Sequence, residues 1–292
     1  EAAKGGRERK TMQYIEKEIE VNYPAGAKKD GYQPVLCCYL QNRAEEVPGS
    51  DRRPAVIVCP GGAYRFKSDR EGEPVAFRFL AAGMNAFVLQ YSVAPSEYPC
   101  ALLELAAAVA MVRENSEAWH TDPKQIYLCG FSAGGHLCAS LGTLWKDGMF
   151  AVGTGYEPYQ WKPDGMILCY PVISMDRFGH EECRTLLLGE RQQELKGQLS
   201  LQKRVSPDTV PAFLWCTQED EEVPMENSLL FAAALRANKV PFELHIYEKG
   251  VHGLALCDEL TANRPERLAP DNAGWVDLAV RWIRRKQAAA QR

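Results

Sequence analysis

An α/β fold, a mostly parallel twisted sheet with helices on both faces, is what this sequence predicts. Three observations carry that expectation. Short runs rich in Val, Ile, Leu and Cys alternate with longer stretches of helical periodicity. The run at residues 55–59 is apolar throughout, as in strands buried on both faces. A Gly-x-Ser-x-Gly pentapeptide, Gly130-Phe131-Ser132-Ala133-Gly134, joins another apolar run to a helix-compatible stretch.

Residues 1–10 are polar and charged and read as a tail. Residues 14–21 and 35–41 read as two strands joined by a Pro/Gly turn, an antiparallel pair. The buried strand at 55–59 comes next, then a helix at 74–82 stopped by Gly83 and a strand at 85–91. Leu102, Leu105, Ala106, Val109 and Val112 set one apolar stripe on a helix. A strand at 125–130 leads to Ser132 and a helix beyond it, and another strand is expected at 165–170. A strand at 212–217, a helix at 225–237 and a strand at 242–248 continue the alternation. The last helix carries Trp275, Leu278, Ala279 and Trp282 at helical spacing. Right-handed crossovers then gather the loops at the strands' C-terminal ends on one rim.

Two stretches break the rhythm. Residues 147–164 read as a loop holding Phe150, Tyr156, Tyr159 and Trp161, and residues 171–207 as a polar, helix-prone insertion. Both are expected to leave the Ser132 rim, or the helix just after it, as walls or a cap. The expected organisation is one domain, 11–287, with the small insertion at 171–207 inside it.

A net charge of −4 argues against a nucleic-acid binder, which would carry a basic face. No apolar run approaches a membrane span. The ten cysteines lie largely in apolar strand-like runs, where Cys acts as a small buried hydrophobe, and no Cys-x-x-Cys or zinc-type His spacing occurs. A reduced, cytoplasmic protein without metal or cofactor is expected. The chain does not begin with Met, so a removed leader remains open.

Ser132 sits where a strand-to-helix turn lifts one hydroxyl above the sheet, and is the candidate nucleophile. Its hydroxyl needs a base within reach. Of five histidines, His120 precedes the strand, His136 lies inside the following helix, His180 is in the insertion and His245 is within a strand. His252, in the loop Lys249-Gly250-Val251-His252-Gly253 after a strand, is the expected base. The carboxylate that orients it comes from Gln218-Glu219-Asp220-Glu221-Glu222; Asp220 fits best, with Glu219 and Glu222 as alternatives. Ala133 N–H and the loop Cys59-Pro60-Gly61-Gly62-Ala63-Tyr64 are expected to supply oxyanion donors. That loop matches neither glycine-rich nucleotide-binding pattern.

With the motifs Ser68-Asp69-Arg70-Glu71-Gly72, Gln90-Tyr91-Ser92-Val93-Ala94-Pro95 and His252-Gly253-Leu254 added, the chain resembles α/β-hydrolase esterases of the acetyl-esterase, acetylxylan-esterase and hormone-sensitive-lipase type. The resemblance covers roughly residues 54–282, and includes a Pro-Gly-Gly-Ala-Tyr loop where many relatives have His-Gly-Gly-Gly. It implies an α/β-hydrolase fold, a triad of Ser132, Asp220 and His252, and oxyanion donors from Gly62, Ala63 and Ala133. It implies a serine esterase acting through an acyl-enzyme on short-chain esters, with acetylated sugars or xylan-type oligosaccharides as substrate. Tyr64, Tyr156, Tyr159 and Trp161 either stack on the leaving group or pack inward. Two other readings stay open: an amidase, peptidase or arylformamidase-like enzyme on the same fold, and a non-catalytic hydrolase-fold binding protein. The expected partner is a small-molecule or oligosaccharide ester, with no nucleic acid and no membrane; a homo-oligomer is compatible with the sequence.

Overall fold

Eight strands form one sheet in the computed structural model, which describes residues 12–290; the polar tail expected at 1–10 lies outside the described residues. The strands are β1 (Gln13–Glu18), β2 (Val35–Leu40), β3 (Arg53–Cys59), β4 (Asn85–Gln90), β5 (Thr121–Phe131), β6 (Gly165–Cys169), β7 (Ala212–Thr217) and β8 (Phe242–Tyr247). Their spatial order is β1-β2-β4-β3-β5-β6-β7-β8. The first two strands pair antiparallel, β2 pairs antiparallel with β4, and every later pairing is parallel. Parallel pairing needs crossovers, and the crossover helices cover both faces of the sheet.

Strand periodicity divides the core in two. Ala55, Ile57 and Cys59 face the cluster that also takes residues of α2 (Cys100–Glu114), α3 (Ala133–Leu144) and α8 (Glu226–Ala237). Val56 and Val58 face the other, with α1 (Glu73–Ala81) and α9 (Trp275–Ala290). Register then sets the position of the site. Cys59 pairs with Gly130, Phe131 with Cys169, Cys169 with Trp215, and Thr217 with Tyr247. Five parallel strands therefore finish near one level, and the segments after them open on one rim.

The segment expected as a loop at 147–164 instead holds two short helices, α4 (Met149–Thr154) and α5 (Pro158–Trp161). It also lies at the other rim. The helix α3 starts at Ala133 and its 12 residues run about 18 Å back across the sheet, so the chain beyond it leaves from the far end. Asp164 N–H bonds Ile126 O just before β6 begins at Gly165, and Tyr156 Oη bonds Glu114 at the end of α2. Both short helices pack on α2. That contact corrects a second expectation: α2 buries nearly its whole circumference, from Cys100 to Val112, rather than one stripe.

The insertion at 171–207 holds α6 (Glu181–Leu188) and α7 (Gln192–Leu195), with 3-10 turns at Gly189–Arg191 and Leu201–Lys203. It leaves from the C-terminal end of β6, on the Ser132 rim. No helix among the described residues is long and apolar enough to cross a membrane. The ten cysteines are free thiols.

Candidate active site

Ser132 has φ 51 and ψ −115, a strained backbone for a residue with a Cβ. The surroundings hold it there: its N–H bonds Cys169 O at 3.0 Å, and its carbonyl accepts from His136 and Val172 N–H, both at 3.1 Å. The flanking glycines permit the turn by close approach. A Cβ on Gly130 would lie 2.2 Å from the Gly134 carbonyl oxygen, and one on Gly134 would lie 2.1 Å from that of Cys59.

His252 Nε2 stands 2.9 Å from Ser132 Oγ, and His252 Nδ1 is 2.7 Å from Asp220 Oδ2. A carboxylate only accepts, so Nδ1 carries the proton, and bare Nε2 accepts from the serine hydroxyl. Asp220 Oδ1 takes the N–H of Glu222 at 3.1 Å and of Val223 at 2.8 Å, which fixes the carboxylate in its turn. The alternative acids are engaged otherwise: Glu219 accepts from Lys249 and from Gly250 N–H, while Glu222 lines the cleft above Ser132.

That cleft has a volume of about 250 Å³ and includes Gly62, Ala63, Ser132 and His252 in its walls. The amides of Gly62 and Ala63 donate to no acceptor among the described residues. Ala133 opens α3, where first-turn amides have no intrahelical partner. Three donors are thus free beside the serine, and the helix N-terminus adds its positive end.

Residues that sequence reasoning did not single out hold this arrangement. Glu71, buried, accepts from Gly61 N–H and from Tyr170 Oη, both at 2.8 Å. Tyr170 Oη accepts in turn from Ala255 N–H, and its ring meets the His252 imidazole edge-on at 5.1 Å. One carboxylate therefore ties the Gly61–Ala63 loop to the ring that packs on the imidazole. Burial and the Glu71 charge push the Tyr170 phenol well up, so it stays a donor. The Arg70 guanidinium donates to Gly253 O and Thr261 O at 3.0 Å, and Arg267 Nε to His252 O at 3.3 Å. Arg70 and Glu71 stand in the Ser68–Gly72 motif, but no local spacing reveals partners so distant in sequence.

The aromatic residues considered for the leaving group lie elsewhere. Tyr64 is buried at 2% exposure, and its hydroxyl donates to His136 Nδ1 at 3.1 Å. His136 Nε2 in turn donates to Leu199 O at 2.9 Å, which fixes the tautomer. Trp161 is buried with its indole N–H on Trp145 O, Tyr156 is bound to Glu114, and Tyr159 is 70% exposed. None of the four lines the Ser132 cleft. Tyr64 packs under the donor loop, and the other three sit at the far rim because α3 separates them from Ser132. The insertion contributes in their place: His180 and Glu182 are cleft walls.

Comparison with known proteins agrees with this architecture. The chain matches the BD-FAE family over residues 45–235, more than half its length. It is 39% identical over 252 residues to endo-1,4-beta-xylanase B of Butyrivibrio fibrisolvens, covering 84% of this chain and 38% of that protein. It is 30% identical over 231 residues to an acetylxylan esterase of Xylanibacter ruminicola, covering 77% of this chain and 44% of that one. The chain thus spans less than half the length of these curated relatives. Among solved structures, the acetyl ester-xyloside bifunctional hydrolase of Caldicellulosiruptor lactoaceticus superposes with a TM-score of 0.76 at 35% identity, over 93% of this chain and 96% of that one.

Proposed function

This chain belongs to the BD-FAE family of α/β-hydrolase esterases, and from that premise we propose a serine esterase that removes short acyl groups, acetyl foremost, from acetylated sugars or xylan-type oligosaccharides. Ser132 Oγ attacks the ester carbonyl while His252 Nε2 takes its proton. The oxyanion accepts from Gly62, Ala63 and Ala133 N–H. Collapse breaks the bond to the alcohol oxygen, His252 Nε2–H protonates that oxygen, and the acyl group stays on Ser132. Water then gives a proton to His252 and attacks the acyl-serine; the acid departs and the proton returns to Ser132. Asp220 remains ionised throughout and stabilises the imidazolium.

The observation that carries this reading is the unbroken hydrogen-bond chain from Asp220 through His252 to Ser132, with free amides beside it. Short acyl groups are favoured because Ser68, Arg70 and Glu71 line the cleft, and a long alkyl chain would desolvate those polar groups while offering them no partner. The sugar assignment draws on what the relatives are named for, an acetylxylan esterase and an acetyl ester-xyloside hydrolase. A series of p-nitrophenyl esters from acetate to octanoate, with acetate release from acetylated xylo-oligosaccharides, tests it. The expected result is a maximum in kcat/KM at acetate and Ser132-dependent acetate release; activity climbing toward octanoate removes the deacetylase assignment.

A further inference from the structure

His180 caps α6 with its imidazole: Nδ1 accepts the N–H of Cys183 at 3.2 Å. A ring nitrogen that accepts a backbone N–H is bare, so in the neutral imidazole the proton sits on Nε2. That N–H has no partner among the described residues, and His180 is a wall of the Ser132 cleft. Histidine is an uncommon choice for a cap that Ser, Asp or Asn makes more readily. A donor that reaches as far as Nε2 is what those smaller residues would lack.

The position is also built. Asn227 donates through Nδ2 to Phe178 O at 2.9 Å and accepts Ile173 and Ser174 N–H at 3.0 Å, which pins the chain just before His180. Gly179 N–H closes a further turn on Asp176 O at 3.0 Å. The ring therefore reaches the cleft from a fixed base. Its pKa is lowered, first by burial and then by the neighbouring His252, with Glu222 and Asp220 pulling the other way. It stays neutral beside a histidine that becomes cationic during turnover.

We propose that His180 is a specificity-determining residue for the alcohol half of the substrate, donating Nε2–H to a hydroxyl oxygen next to the ester. The side follows from the chemistry of the proposed esterase, on which this inference rests. His252 protonates the departing alcohol, so that half lies along His252 and away from the Gly62, Ala63 and Ala133 amides. His180 lines the same cleft as His252 and lies within its electrostatic reach. Glu222, also in the wall and within electrostatic reach of His180, supplies an acceptor. Glu182 is paired with Arg65. A donor and an acceptor lining one cleft fit a polyhydroxylated leaving group, in which a free hydroxyl stands beside the acylated one.

Two substitutions separate the two nitrogens. In His180→Asn, the amide oxygen takes the place of Nδ1 and keeps the cap, but nothing reaches as far as Nε2. In His180→Gln, the longer amide regains that reach and gives up the cap. Each full-length variant is assayed on acetylated xylo-oligosaccharides and on p-nitrophenyl acetate, whose leaving group carries no hydroxyl, with Tm measured alongside. The expected result for His180→Asn is a near-native Tm, a loss of about 10-fold in kcat/KM on the sugar acetate, and activity within about twofold on p-nitrophenyl acetate. His180→Gln is expected to lower Tm and lose less on the sugar acetate than His180→Asn. Equal losses on both substrates, or an unchanged ratio in His180→Asn, overturn the proposal. Absence of Ser132-dependent turnover of p-nitrophenyl acetate by the native chain overturns the esterase reading itself, a result no His180 variant can produce.

Discussion

Asp220 is held from three directions, by two backbone N–H groups and the His252 imidazole, and its side chain is 1% exposed. A short carboxylate inside a turn cannot drift to solvent as its glutamate neighbours do, which is why Asp220 was the acid the sequence favoured among four in that loop. Asp220→Asn keeps the shape, but its amide N–H donates to Nδ1 and so holds His252 in the tautomer with the proton on Nε2, where it can no longer accept from Ser132. It is expected to lower kcat on p-nitrophenyl acetate by about 10³–10⁴-fold with little change in KM; a loss below tenfold argues against its role. Glu71 acts one contact further out. Replacing it with Ala leaves Gly61 N–H and the buried Tyr170 hydroxyl without their acceptor, and is expected to cost about 2 kcal/mol in denaturant unfolding and to lower kcat. Retention of both native stability and native kcat contradicts that linkage. Tyr170 is 99 positions from Glu71, so no window along the sequence pairs them. An aromatic residue near a loop reads the same whether it turns inward or outward, which is why Tyr64 was not legible as the anchor of the donor loop.

Elements meet here at distances that only particular side chains allow. The start of α3 touches the end of β3 through Gly134, and the 2.1 Å gap left for a Cβ offers only backbone to move. Gly134→Ala is therefore expected to destabilise by about 3 kcal/mol or to prevent soluble expression, read by denaturant unfolding. Native stability in that variant is incompatible with the packing described. The strand-Ser-helix turn was legible because the two glycines and the flanking patterns stand together in the sequence. The helices α4 and α5 were not. Each is six residues or fewer, too short for periodicity to register, and their placement follows from the length of α3 rather than from their own residues. The breadth of burial on α2 was hidden for the same reason, because the covering elements were read as loop.

The molecule as a whole was legible in its alternation of apolar runs and periodic segments, which leaves few arrangements but a parallel sheet covered on both faces. The two antiparallel strands that open the chain were equally plain from their turn and spacing. Acid stability is a property of this whole. His136 lies buried between the donor loop and the insertion, and burial lowers its pKa from 6.5 to about 4. The folded state therefore binds fewer protons than the unfolded one between those values. Stability is full above pH 6.5 and falls as pH drops toward 4, by about 3 kcal/mol from this group. Urea unfolding across that range measures it, and His136→Gln is expected to flatten the slope; an unchanged slope in the variant assigns the acid sensitivity elsewhere. The account as a whole rests on Ser132 being activated by His252, and reaction with a fluorophosphonate tests that most directly. Mass analysis of the treated native chain is expected to place one phosphonyl adduct on Ser132, with labelling lost in His252→Ala. Native folded protein that stays unlabelled, or labelling that proceeds undiminished without the imidazole, contradicts it.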